Sequence, residues 1–346
     1  MKKSILIILG VVLVGTLVFL PAYAGEKQEM VDTTKYKKEG PCVAGRAGLG
    51  DTNAWMTMFS HHFNYGVNEK YADKFKDFKV NACFWNPVKQ IANIEALVGQ
   101  KVDILFVDPA SEAALAGAVE EAMDMGIPVV VASTGVNTDK YVTWVTRNNE
   151  KVGEVYGEWM AKKLNGKGNV VALMGMAGTT YAEDVLRGVK KSLSASPGIK
   201  LVDMAYCDWS PVKAKEAMEA FIASNPKIDG VIADGGQMAL GAVEALLDAG
   251  RPIPPITADD WNGWLRLAKE KGVDFLAVSG GNPLALTCVD LANKILSGEP
   301  VPHYVEYDFV TFEKDAIDKY YRPELTDQYF AVNELPEEWI NKYYSK

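Results

Sequence analysis

ILFVDPASEAALAGAVEEAMDMGIPVVVAST, residues 104–134, decides the fold. Ile104–Val107 is an apolar run too short for a helix, which suits a fully buried strand. Helical patterning follows over Glu112–Met125. Gly126 ends it, and Ile127-Pro128 leads directly into a second apolar run, Val129–Ala132. Strand, helix and strand in this order make a right-handed unit of a parallel sheet.

The same rhythm extends in both directions. Upstream and downstream, strands are expected at Cys42–Ala47, Lys79–Phe84 and Tyr141–Val145, with helices at Trp55–Tyr71 and Val88–Val98. The second half repeats it, with strands at Asn169–Met174, Lys200–Tyr206, Gly230–Ala233, Ile256–Ala258 and Phe275–Val278. Helices are expected there at Glu150–Leu164, Thr180–Ser194, Val212–Ser224, Met238–Ala249 and Gly263–Glu270. A last helix, Leu284–Leu296, a run at Tyr304–Phe312 and an aromatic, charged tail that wraps a domain surface complete the chain. The sequence therefore predicts an α/β protein with two similar doubly wound parallel-sheet domains.

Ahead of this lies an export signal. Lys2 and Lys3 precede an uncharged apolar run, Ile5–Leu20, and Pro21 then breaks it before the small-x-small site Ala22-Tyr23-Ala24. The run of 16 residues is shorter than the roughly 20 a spanning helix needs. Cleavage after Ala24 is expected, and no cysteine near that site offers a lipid attachment point. The product is expected in the periplasm, as a monomer. Residues 25–40 are polar and aperiodic and read as a disordered leader.

A formal net charge of −9 argues against nucleic acid and anionic membranes as partners. Four cysteines, Cys42, Cys83, Cys207 and Cys288, sit in a compartment that permits disulfides. Cys42 and Cys83 fall on neighbouring expected strands, so a bridge between them and buried free thiols are the two readings. Their spacing has neither zinc-site nor redox-motif character, and His61 and His62, adjacent on a helix, point about 100° apart and cannot chelate together. Gly45–Gly50 lacks the spacing of a phosphate-binding loop. No metal and no cofactor are expected.

In open parallel sheets ligands collect at the carboxyl ends of the strands. In the first half those positions carry Asp51, Thr52, Asn53, Trp55, Trp85, Asp108, Ser133 and, at the junction, Arg147. In the second they carry Thr180, Tyr181, Trp209, Asp234, Gln237, Asp260, Trp261 and Asn282. Six of the eight tryptophans (55, 85, 144, 209, 261 and 264) lie at or just beyond expected strand ends. Indole faces beside carboxylates and amides suit a polyhydroxylated ring, since the faces cover C–H surfaces and the polar groups meet hydroxyls.

At Gly126–Val131, at Asn165–Val170 running to Gly178-Thr179-Thr180, and at Met238–Ala242, the chain resembles exported sugar-binding proteins of the ribose-binding type. The resemblance implies the type I periplasmic binding fold, with two lobes joined by hinge crossings near Arg147, Gly280 and Asp308. It places residues 41–146 plus 281–308 in an N-terminal lobe, and 147–280 plus 309–346 in a C-terminal lobe and tail. It also implies closure over a ligand and docking on an ATP-driven permease. Matched position by position, the family's Asp-Arg falls on Ser133-Thr134, a helix Arg on Val185, an Asn-Asp on Gly235-Gly236 and a hinge Gln on Gly280. An aspartate is kept at Asp260 and a stacking aromatic at Trp209. These departures favour a ligand bulkier than ribose or differently substituted: a carbohydrate, a cyclitol or a nucleoside-like molecule.

The expected function is capture of such a solute for a membrane permease of the ABC type, and not enzymatic turnover. Trp209 and Trp55 would stack on the ring, Asp260 and Asp234 would accept its hydroxyl hydrogens, and Asn53 and Arg147 would orient it. The rivals are a sensor component serving a chemoreceptor or kinase, and an exported carbohydrate-active enzyme. The last lacks a nucleophile elbow and a His-centred triad.

Overall fold

The computed structural model describes residues 29–346. The export signal lies outside the described residues. The chain enters with a short strand β1 (Met30–Val31) and then lays down β2 (Cys42–Gly48), β3 (Phe75–Ala82), β4 (Ile104–Val107), β5 (Val129–Ala132) and β6 (Thr143–Thr146). Between these strands come α1 (Ala54–Tyr65), α2 (Pro87–Gly99) and α3 (Glu112–Asp124). The second half has β7 (Lys167–Met174), β8 (Gly198–Tyr206), β9 (Gly230–Ala233), β10 (Ile256–Asp259) and β11 (Phe275–Val278). Its helices are α4 (Asn149–Lys163), α5 (Thr180–Ser194), α6 (Pro211–Ser224), α7 (Gly236–Asp248) and α8 (Asn262–Lys271), and α9 (Leu284–Ser297) follows. After α9 come β12 (Val301–Pro302), β13 (Tyr304–Glu306), β14 (Thr311–Glu313), α10 (Ile317–Tyr320) and α11 (Glu337–Tyr344).

The strands form two six-stranded sheets, ordered β3-β2-β4-β5-β6-β13 and β8-β7-β9-β10-β11-β14. All pairings within them are parallel except β11 with β14. Buried apolar clusters lie on both faces of each sheet, which is why β4, β5, β9 and β11 read as uninterrupted apolar runs. The chain passes from the first lobe to the second after β6. It returns between β11 and α9, whose Leu284, Val289 and Leu296 pack in the first lobe, and passes over again between β13 and β14. The Tyr304–Phe312 run is thus split, one strand to each lobe, because Tyr307–Val310 is the third crossing.

Several expectations change. The leader is not structureless throughout: β1 pairs antiparallel with β12, the Thr33 hydroxyl donates to the Glu299 carbonyl at 2.6 Å, and Tyr36 is buried. Its partners lie some 270 positions away, beyond the reach of local composition. The strand expected at Lys79–Phe84 ends at Ala82, because Phe84 and Trp85 take left-handed backbone angles of φ 55° and 63°. All four cysteines are free and buried. β2 and β3 are parallel neighbours, yet Cys42 pairs with Phe75 at one end while Cys83 follows Ala82 at the other, about 20 Å away along the strand. That register rules out the Cys42–Cys83 bridge.

The tail packs into the second lobe, where Leu325, Phe330, Trp339 and Tyr344 are buried. It also reaches α1 of the first lobe. Tyr344 Oη lies 2.7 Å from His61 Nδ1, and the Glu334 N–H donates to His62 Nε2 at 3.2 Å. Because Nε2 accepts, the His62 proton sits on Nδ1 and points to the Met58 carbonyl at 2.9 Å. Burial lowers the His62 pKa to about 4. Among the described residues no helix is long and apolar enough to cross a membrane.

Candidate functional site

A cavity of about 580 Å³ lies between the lobes, at the carboxyl ends of both sheets. That size is typical of small-molecule sites, roughly 300–1,000 Å³. The first lobe contributes Asn53, Trp55, Trp85, Asp108 and Ser133; the second contributes Thr180, Tyr181, Trp209, Asp234 and Gln237. Arg147 stands at the first hinge crossing and Gly280 at the second, and Phe330 reaches in from the tail.

The two lobes present their indoles by the same device. Cys83-Phe84-Trp85-Asn86-Pro87-Val88-Lys89 and Cys207-Asp208-Trp209-Ser210-Pro211-Val212-Lys213 are one motif, C-x-W-[NS]-P-V-K, used twice. In each copy the cysteine is buried at the strand end, Asn86 or Ser210 caps the next helix, and proline occupies its first turn. The two residues between turn left-handed: φ is 55° and 63° at Phe84 and Trp85, and 51° and 52° at Asp208 and Trp209. Such angles are costly for bulky side chains and persist where the surroundings enforce them. Here they aim each tryptophan at the cleft. The Trp85 and Trp209 rings face each other at 6.5 Å between centroids with 25° between planes, and Trp209 also contacts Tyr181 at 6.1 Å. Trp209 rests on Gly175, where an added Cβ would meet the indole Cε2 at 2.2 Å. Only glycine admits the ring there.

The polar wall is uneven. Asp108 is occupied within the protein: its carboxylate takes Arg46 Nε at 3.0 Å, Arg46 Nη2 at 2.9 Å and the Leu49 N–H at 2.9 Å. Asp234 Oδ2 accepts from the Gly175 N–H at 2.8 Å, whereas its Oδ1 is buried with no hydrogen-bond partner. Asp259 Oδ1 accepts from the N–H groups of Gly236 at 2.9 Å and Trp261 at 3.1 Å. Burial is the first cause of raised pKa values at both, pushing each to about 7; for Asp259 the neighbouring Asp260 adds to it. Arg147 donates to the Ser279 carbonyl and to Asn149 Oδ1, and its guanidinium lies 5.2 Å from the Tyr181 ring centre. Across the cleft the Thr180 hydroxyl donates to Glu112 Oε1, so the lobes touch at the rim.

Five expected residues stand off the cavity wall. Asp51 is exposed and accepts from the Ser60 hydroxyl at 2.5 Å. Thr52 accepts from Trp85 Nε1 at 3.2 Å, which places it behind the indole. Asp260 is buried in the hinge, where it takes the N–H groups of Gly280 at 2.7 Å and Val332 at 2.6 Å and so ties the second crossing to the tail. Trp261 is buried in the second-lobe core. Asn282 holds the Trp55 carbonyl through Nδ2 at 2.9 Å. Asn53 and Trp55 line the cavity while also serving the frame: Asn53 caps α1, and the Trp55 indole N–H donates to the Gly280 carbonyl at 2.7 Å. Glu112, Asn137, Asn149, Glu183 and Phe330 also line the cavity and are not reached by the strand-end reading, and Asp259 lines it as the strand-end neighbour of Asp260. The repeated heptad is a signal in plain view, and of the adjacent aspartates Asp259 lines the cavity while Asp260 is turned to the hinge.

Residues 52–300 match the family model described as periplasmic binding protein domain. The chain belongs to that family. Among other family proteins, the xylitol-binding protein of Mycolicibacterium smegmatis is 28% identical over 231 residues, 66% of each chain. The galactofuranose-binding protein YtfQ of Escherichia coli is 34% identical over 168 residues, 46% of this chain and 53% of the relative. The ribose import binding protein RbsB of Bacillus subtilis is 29% identical over 213 residues, 62% of this chain and 69% of the relative. The match thus spans less than two thirds of the first two relatives' lengths. A Mycobacterium smegmatis protein in complex with β-D-fucofuranose superposes with a TM-score of 0.73 at 27% identity, covering 80% of this chain and 93% of the other. The fructose-binding periplasmic domain of a hybrid two component system superposes at 0.72 with 25% identity, covering 80% and 92%.

Proposed function

We propose that this family member is an exported solute-binding protein that captures one sugar or sugar-like molecule between its lobes and delivers it to an ABC-type permease. The observation that carries the reading is the cavity between the lobes, walled by facing indoles from opposite lobes beside the unpartnered Asp234 Oδ1. Such a site gives a ring two apolar faces to cover and polar groups at its edge. Binding energy drawn from both lobes favours the closed arrangement, and the permease reads that arrangement. The named ligands of the relatives, xylitol, galactofuranose and ribose, support a polyhydroxylated solute. On this reading the chain is cleaved after Ala24, acts as a monomer in the periplasm and turns nothing over.

A sensor reading has one specific support, the similarity to the fructose-binding domain of a two component system. Both readings share the binding step, so that step is tested first. A thermal-shift screen of the exported protein against pentoses, hexoses, furanoses and cyclitols is expected to raise the melting temperature with a narrow subset. A rise with no carbohydrate or cyclitol overturns the proposal. Uptake of the bound solute by membrane vesicles carrying the cognate permease then separates delivery from sensing.

A further inference from the structure

The cavity is electrostatically one-sided. Its wall carries five carboxylates, Asp108, Glu112, Glu183, Asp234 and Asp259, and one guanidinium, Arg147. Three of the acids have side-chain hydrogen-bond partners in the protein, whereas Asp234 and Asp259 have backbone N–H groups on one oxygen each. Asp108 has Arg46; Glu183 accepts from the Gly178 N–H at 3.0 Å and the Tyr206 hydroxyl at 2.8 Å; Glu112 accepts from the Thr180 hydroxyl. Arg147 directs donors at the Ser279 carbonyl and Asn149. Asp234 and Asp259 stand apart. Asp234 is 1% exposed and its Oδ1 has no partner. Asp259 takes both backbone bonds on Oδ1, and its Oδ2 and the Trp209 edge both border Gly235: a methyl added there would meet Trp209 Cδ1 at 3.3 Å and Asp259 Oδ2 at 3.5 Å.

A neutral hydroxyl donates one hydrogen bond and leaves the buried charge of these carboxylates uncompensated. An ammonium compensates it, donates in three directions and is attracted by the surrounding indole and phenol faces. The pKa values near 7 at both aspartates, with burial as the first cause, are those of carboxylates short of a counter-charge. Asp260 raises Asp259 and Asp259 raises Asp234; Arg147 lowers both, the Trp209 side chain lowers Asp234, and the Tyr181 ring contacts both Arg147 and Trp209.

We propose that the solute carries a protonated amine, as in an amino sugar or aminocyclitol, held by Asp234 and Asp259 beside Trp209. This rests on capture of a sugar-like solute between the lobes and narrows its chemical class.

The test is titration calorimetry of the exported protein at pH 7.5 with matched sets: glucosamine, galactosamine and mannosamine, each against its parent hexose and its N-acetyl derivative, and an aminocyclitol against myo-inositol. At least one amine is expected to bind about 10- to 100-fold more tightly than both its neutral counterparts. Asp234→Asn and Asp259→Asn each keep an oxygen for the backbone N–H groups, and each is expected to reduce that preference to within a few-fold. The preference is also expected to shrink between pH 8 and pH 5 as the carboxylates take up protons. A neutral sugar that binds as tightly as its amine overturns the inference and leaves sugar capture standing. An amine that binds wild type and both variants alike overturns it too. Failure of every amine and every neutral sugar overturns both.

Discussion

Gly175→Ala tests the account at a residue whose missing side chain seats an indole. The added Cβ would lie 2.2 Å from Trp209 Cε2 and 2.3 Å from Cζ2, where ordinary carbon contacts need about 3.5 Å. The ring must therefore move by more than about 1 Å, off the face it now presents to the cavity. A ligand covering roughly 80 Å² of that face loses about 2 kcal/mol at ~25 cal/mol/Å², or about 30-fold in Kd. The Gly175 N–H that holds Asp234 survives the change, so the carboxylate keeps its anchor. Titration calorimetry with the best sugar from the screen reads the loss, and the melting temperature of the ligand-free variant reports whether the fold is kept. A folded Gly175→Ala protein with wild-type affinity would refute both the seating argument and the role of Trp209.

Other expected outcomes follow from the same geometry. Thr180→Val removes the hydroxyl that bonds Glu112 across the cleft, and is expected to weaken binding about 5- to 30-fold by calorimetry without lowering the urea midpoint. Asp108→Ala strands a buried Arg46 and is expected to cost about 3–5 kcal/mol in urea unfolding, because both partners are 2% exposed. Stability of the ligand-free protein should fall between pH 6.5 and 8. Asp234 and Asp259, raised from 3.8 to about 7, hold protons that the unfolded chain has released, so their contribution is present below pH 3.8 and lost as pH rises through 7. His62 works oppositely, with stability lost as pH falls from 6.5 toward 4, so one histidine partly offsets the two carboxylates below 6.5 and leaves them unopposed above it. Scanning calorimetry should show the fall, flattened in Asp234→Asn and Asp259→Asn; a rise in wild type over that interval contradicts the assignment.

The alternation of residues 104–134 carries to the whole fold because buried parallel strands announce themselves locally: β4, β5, β9 and β11 coincide with their apolar runs. The strand-end rule likewise brings Trp85, Trp209, Asp234 and Gln237 to one cavity. What stays hidden is decided by distant partners or by the last half-turn of a strand. Asp259 and Asp260 are equivalent in sequence, and the end of β10 turns the first to the cavity and the second to the hinge, where tail N–H groups wait. Trp261 and Asn282 sit at strand ends yet serve the core and the hinge. Phe330 enters the cavity from a tail without strand periodicity, and the leader gains order only by pairing with β12.

Closure on a ligand is the central claim, and one distance tests it. The four native cysteines are buried, whereas Val88 and Val212, in matching places on the two copies of the heptad, are 75% and 64% exposed. Spin labels on Val88→Cys and Val212→Cys therefore report the separation of the lobes at the mouth of the cleft. Pulsed dipolar spectroscopy should give a long, broad distribution in the empty protein and a short, narrow one when a solute binds. A distribution unchanged by a solute that demonstrably binds would contradict capture by closure.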